Sequence, residues 1–222
     1  MNIIKDIAGE QAPFLLKLFA RTLFGKALET FTILRGHGRN GKSLISELIY
    51  KTLGQYAYRT SSDLVTKINP KGGGIGPCPE IAQMHNNRLI ITSKPSSQWK
   101  FKPDYIKNVT EKTEITGRNP HSSKLNVKIL ASVFVDLNNK LPFQGEIDDA
   151  IVERLIDYEF LNSYTNDKEQ LGKPTSNGGV YKQANHFIQL IFFRELYRGS
   201  MMHILLDTFA KEFTNVNDIN KV

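Results

Sequence analysis

Residues 36–43 read GHGRNGKS: a glycine, four variable residues, then glycine, lysine and serine. That spacing suits one chemistry. Glycines let successive backbone N–H groups curl around an oxyanion, a lysine brings a positive charge to it, and a hydroxyl can hold a cation. Gly36, His37, Gly38, Arg39, Asn40, Gly41, Lys42 and Ser43 therefore form a candidate nucleotide-binding loop. Lys42 would face the β- and γ-phosphates of a nucleotide, and Ser43 would be the ligand for Mg2+. His37, Arg39 and Asn40 are the variable letters and are expected in solvent or at a subunit boundary.

The flanking sequence supplies what such a loop needs. TFTILRG (30–36) is short and β-branched, which predicts a buried strand. GKSLISELIYKTLG (41–54) has apolar residues at helical spacing and stops on Gly54, so the helix begins on the loop and adds its positive N-terminal end. A helix is expected over APFLLKLFARTLFG (12–25) and another over DYIKNVTEK (104–112). RLIITS is expected as a strand, EITGR and LNVKILASVFVDL as a hairpin and a long strand, and DDAIVERLIDYE (148–159) as a helix capped by Asp148 and Asp149. KINPKGGGIGPCP (67–79) is a glycine- and proline-rich loop. Alternating strands and helices around such a loop predict an α/β fold, a mostly parallel sheet with helices on both faces. The domain reading is a core over 1–160, a polar linker over 161–183 and a small C-terminal helical segment over 184–222, broken at Gly199.

TILRGHGRNGKS, RLIITSKP, EITGRNPHSSKLNVKILASVFVDLNNKLP and DDAIVERLIDYEF, in that order, resemble the ATPase core of superfamily 3 helicases. The nearest branch is the poxvirus-type and phage-type primase–helicases, and the resemblance covers about residues 10–160. It implies an AAA+-type fold, a homo-oligomeric ring, most simply a hexamer, and translocation on single-stranded DNA. It also implies a primase segment or other replication proteins as partners. LNNKLP (137–142) matches the family's Asn-x-Leu-Pro, which makes Asn139 the γ-phosphate sensor, with Asn138 as the fallback. Arg154 matches the arginine that reaches a neighbouring subunit's nucleotide. The family's pore hairpin falls on GRNPHSSKLNVK, which offers Arg118, His121, Lys124 and Lys128 for the DNA backbone, a contact that needs no base reading.

One position departs from the pattern. The family's second strand ends in Ser-Glu-Pro, and here RLIITSKP ends in Ser93, Lys94 and Pro95. Hydrolysis depends on a carboxylate there to hold hydrated magnesium and orient water. A protonated lysine does neither. Either turnover is lost and the domain binds ATP as an oligomerisation subunit, or another carboxylate substitutes, Asp136 first and Glu80 second. A register error is the third alternative, though Pro95 fits the pattern. A small-molecule kinase would share the phosphate loop but predicts a mobile acceptor lid.

Composition excludes several classes. The chain has 222 residues, 40% hydrophobic and 23% charged, which supports a folded core rather than disorder. No apolar run approaches the ~20 residues that span a bilayer, and the N-terminus lacks a secretory pattern. Cys78 is the single cysteine, so no internal disulfide forms and an intracellular location is expected, the host cytoplasm or nucleus if viral. The net charge of +7 is compatible with a polyanionic partner. His85, His186 and His203 have no ligand spacing, so no zinc site is expected. Trp99 and Phe101 are expected in packing rather than on bases.

Overall fold

The computed structural model describes residues 2–62, 66, 83–92, 95, 98–110, 114–117, 125–185 and 195–214. In chain order, α1 (Asn2–Ala8) and α2 (Ala12–Ala20) precede β1 (Phe31–Arg35) and α3 (Lys42–Leu53). Then come β2 (Ala57–Thr60), β3 (Leu89–Thr92), α4 (Pro103–Thr110), β4 (Glu114–Gly117) and β5 (Leu125–Lys128). They are followed by β6 (Ser132–Leu137), α5 (Asp149–Val152), β7 (Leu155–Glu159), β8 (Ser163–Thr165), β9 (Tyr181–Gln183) and α6 (Glu195–Glu212).

The main sheet has five strands in the order β2-β3-β6-β1-β7, and every pairing within it is parallel. β3 and β6 are buried along their whole length, as central strands covered on both faces must be. Period-two alternation sends their side chains to two separate cores. On one face Leu34, Ile91, Phe134 and Tyr158 pack with α1, α2, α3 and α6. On the other, Phe31, Ile90, Val133 and Val135 pack with α4 and α5. Phe19 of α2 stacks on Phe134 of β6 at 5.3 Å between centroids, and Phe101 meets Phe31 edge-on at 5.9 Å. Phe101 is therefore a core residue, and Trp99 is half-buried.

The expected α/β fold with a mostly parallel sheet is what forms, with three corrections. First, the stretch 148–159 is not one helix. Asp148 caps α5 by accepting from the Ile151 N–H at 3.0 Å, but α5 ends at Val152 and the chain turns into β7. A short segment with apolar residues at Ile151, Leu155, Ile156 and Tyr158 fits both periods, and pairing with β1 decides for the strand. Second, 161–183 is not a bare linker. β8 and β9 pair in parallel, Ser163 with Tyr181 through Thr165 with Gln183, and lie against the loop that follows β1. Third, α6 runs through Gly199 without a break and packs on α2 and α3, burying Met201 and Leu205 in the main core. Tertiary packing there offsets the ~1 kcal/mol that an interior glycine costs a helix.

β4 and β5 form the expected hairpin as a separate antiparallel ladder, from Glu114–Lys128 to Gly117–Leu125, but beyond the three corrections above the expected long strand LNVKILASVFVDL is divided, with β5 in this ladder and β6 in the main sheet. Its tip, with Arg118, His121 and Lys124, lies outside the described residues, as do Ser93, Lys94, Cys78, Glu80 and His186. Among the described residues no helix is long and apolar enough to cross a membrane.

Phe134 is 1% exposed and joins the sheet to α2. Phe134→Ala should destabilise the domain by about 3–5 kcal/mol, read as a lower urea midpoint at unchanged m-value.

Candidate functional site

β1 and β6 run side by side in register, Arg35 opposite Leu137, so their C-terminal ends are level. The loop Gly36–Gly41 leaves this edge and α3 returns from it. Gly36 sits so close to its surroundings that a Cβ would lie 2.1 Å from Asn40 Nδ2 and 2.9 Å from the Phe160 carbonyl. Gly41 has φ of 80°, a left-handed conformation, and a Cβ there would meet Ile7 of α1 at 2.8 Å. Arg39 is also left-handed, at φ 63°, which is unusual for a residue with a side chain. His37 and Arg39 are exposed, as expected, and so are Gly38 and Ser43, whereas Asn40 is buried, against expectation. Its Oδ1 accepts from the Lys42 N–H at 3.2 Å, and its Nδ2 has no partner among the described residues.

Lys42 is 2% exposed, an unusual environment for an ammonium group. Its Nζ donates to the Leu137 carbonyl at the end of β6, to the Gly36 carbonyl at 3.4 Å, and to Asn138 Oδ1 at 3.4 Å. The Leu137 carbonyl also accepts from the Gly36 N–H at 3.2 Å. The charge is thus held at the junction of two strand ends and a helix start, with the oxygens of Gly36, Leu137 and Asn138 around it.

One turn further along α3, Ser46 donates to Asp136 Oδ1 at 3.0 Å. Asp136 is 8% exposed and shares the α3-facing side of β6 with Phe134. This brings the expected substitute carboxylate to the loop's helix. Asn138, rather than Asn139, is the asparagine that reaches Lys42; Asn139 is exposed one residue on. Arg35, just before the loop, is clamped between Asp157 at 3.1 Å and Glu159 at 2.7 Å. Burial lowers its pKa, and the two carboxylates outweigh that and raise it.

Arg154 occupies the opposite end of the sheet. Its carbonyl accepts from the Phe31 N–H at 2.7 Å, and its guanidinium donates to the Ala150 carbonyl at 2.6 Å. β1 has five residues, so at about 3.3 Å each the arginine lies roughly 16 Å from the loop. It cannot reach the Gly36–Ser43 loop of its own chain. Lys128 is exposed at the base of the β4–β5 hairpin. Among the described residues no group of three or more His, Cys, Asp or Glu side chains could hold a metal ion.

The site has a wall that sequence reasoning missed. The Tyr164 N–H of β8 donates to the Arg39 carbonyl at 2.7 Å. Asn162 Nδ2 donates to the carbonyls of Asp6 and Ile7, Tyr164 Oη to Asp6 Oδ2 at 2.8 Å, and Lys182 Nζ to Asp6 Oδ1 at 2.8 Å. Burial and then Asp6 raise the Tyr164 pKa, so the phenol stays a donor. The polarity that made 162–179 read as a linker is in part this hydrogen bonding.

The donor set suits a polyphosphate. A Cβ would collide with Asn40 and the Phe160 carbonyl at Gly36 and with the Ile7 side chain at Gly41, a buried ammonium and a buried amide N–H sit within the loop, and a twelve-residue helix begins there. Together with the sheet order, this defines a P-loop α/β domain.

No family model matches the chain. It is 26% identical to fowlpox virus primase D5 over 222 residues, 95% of this chain and 27% of that protein. It is 27% identical to the putative helicase L207/L206 of Acanthamoeba polyphaga mimivirus over 175 residues, 78% of this chain and 18% of that one. The chain thus spans about a quarter or less of these curated relatives. Among solved structures, its fold is similar to the apo NrS-1 C-terminal region, with a TM-score of 0.63 at 12% identity, over 100% of this chain and 48% of that one. A second apo form of that region gives 0.59 over 92% and 44%. The resemblance to the poxvirus-type primase–helicases, read from the motifs, holds in these comparisons.

Ser46→Ala should remove a donor from the buried Asp136 carboxylate and cost about 1–3 kcal/mol of stability, measurable by chemical denaturation.

Proposed function

We propose that this chain is the ATP-dependent motor core of a DNA helicase from a viral or mobile-element replication protein, forming a ring, most simply a hexamer, that moves along single-stranded DNA. The observation that carries the reading is the buried Lys42 ammonium between the ends of β1 and β6, at the start of α3. The two relatives, named a primase and a putative helicase of viruses, support the replication context.

In this reading Gly36–Ser43 cradle the triphosphate, and Lys42 moves from carbonyl oxygens to phosphate oxygens. Ser43 would hold Mg2+, which would neutralise charge on the phosphates. Asn139, or Asn138 through Lys42, senses the γ-phosphate. Arg154 lies far from its own loop, so its guanidinium acts on a neighbour's nucleotide, which couples turnover to assembly. Arg118, His121, Lys124 and Lys128 grip the DNA backbone from the hairpin. A primase segment or other replication proteins are the partners, in the host cytoplasm or nucleus.

Lys94 favours a second reading, a subunit that binds ATP and oligomerises without hydrolysing it. Steady-state phosphate release, with and without single-stranded DNA, separates the two. DNA-stimulated release by the wild type supports the motor. A silent wild type, with release restored by Lys94→Glu by orders of magnitude, supports the second reading. In whichever background turns over, Arg154→Ala should lower release by on the order of 10³-fold without weakening ATP binding. Unchanged release would remove Arg154 from the mechanism.

A further inference from the structure

A cavity of about 620 Å³ adjoins the phosphate loop, bounded by the end of α1, the start of α3 and the β8–β9 strap. Ile7 and Leu44 line it with apolar surface, while Tyr164, Asp167 and Gln170 line it with polar groups. It shares Arg39 and Gly41 with the loop, so its mouth is continuous with the phosphate cradle. Its walls are tied in place: β8 bonds the Arg39 carbonyl, and α1 is held through Asp6 by Tyr164 and Lys182. Asp167 is fixed by its turn. Its N–H donates to Thr165 Oγ1 at 3.1 Å, and its Oδ1 accepts from the Glu169 N–H at 3.0 Å.

We propose that this cavity takes the base and ribose of the nucleotide, and that Asp167 selects a base bearing an exocyclic amine, as adenine does. The inference rests on the phosphate-loop reading and deepens it. An ionised carboxylate accepts hydrogen bonds and offers none, so it favours an amine edge and opposes a carbonyl at the same place. Ile7 and Leu44 provide the apolar contact that a ring face needs, and the cavity is large enough for a base with its sugar. The strap 161–185 therefore determines nucleotide choice.

The test compares ATP, ITP and inorganic tripolyphosphate by competition binding to the full chain. The wild type should bind tripolyphosphate, and should bind ATP more tightly than ITP by about tenfold, the scale of one hydrogen bond lost against a repelling acceptor. Leu44→Trp, which fills the cavity, should weaken ATP by about tenfold or more while tripolyphosphate binding is kept. Asp167→Ala, on an exposed turn, should bring ATP and ITP to equal affinity. Retained tripolyphosphate binding reports that each variant is folded. Wild type that holds tripolyphosphate but does not distinguish ATP from ITP, or an ATP affinity unmoved by Leu44→Trp, overturns the cavity assignment alone. Wild type that binds neither ATP nor tripolyphosphate overturns the phosphate loop on which it rests.

Discussion

A single ammonium group organises this molecule. Lys42 is buried at 2% exposure, and its Nζ meets the carbonyls of Gly36 and Leu137 and the amide oxygen of Asn138. Burying a charge is costly unless oxygen atoms surround it, and two separate segments, the ends of β1 and β6, must converge to provide them. The parallel register of β1 and β6 sets two of those oxygens level, and the first turn of α3 delivers the lysine. The sheet's layering then follows, since both faces of these central strands need cover. The left-handed Gly41, pressed against Ile7, lets α1 close over the same junction.

The rest of the chain divides by its distance from that junction. Asp136 and Ser46 lie one helical turn away and brace β6 against α3. Arg35, held by Asp157 and Glu159, fixes the outer strand β7 to the end of β1. Lys140 adds to the same cluster at 3.3 Å from Asp157. Arg154, at the far end of β7, belongs to a different surface. The layout thus puts the buried Lys42 ammonium and the Arg154 guanidinium at opposite ends of the sheet.

Sequence reasoning read well where one physical signal dominates. The glycine-lysine-serine spacing, the β-branched run before it and the helix after it all appear where expected, because backbone geometry leaves few other residues possible there. It failed where two signals overlap. LIDYE carries alternation and helical spacing at once, and only the neighbouring β1 resolves it as β7. The polar strap 162–179 reads as a spacer because its contacts are hydrogen bonds to α1 and the loop, and these leave no periodic apolar trace. The choice between Asn138 and Asn139 depends on how the chain turns after β6, which the doublet cannot encode; the structure brings Asn138 to Lys42. Lys94 is plain in the sequence and lies outside the described residues.

The account stands or falls on whether the Lys42 charge serves a triphosphate or only the loop's own carbonyls. Isothermal titration of ATP into the wild type and Lys42→Ala, both verified folded by circular dichroism, measures this directly. Loss of one charge-assisted contact of about 1.5–3 kcal/mol should weaken ATP binding by roughly ten- to a hundredfold. Equal affinity in the two proteins would mean that the buried amine is a structural tie and that nucleotide, if bound, sits elsewhere.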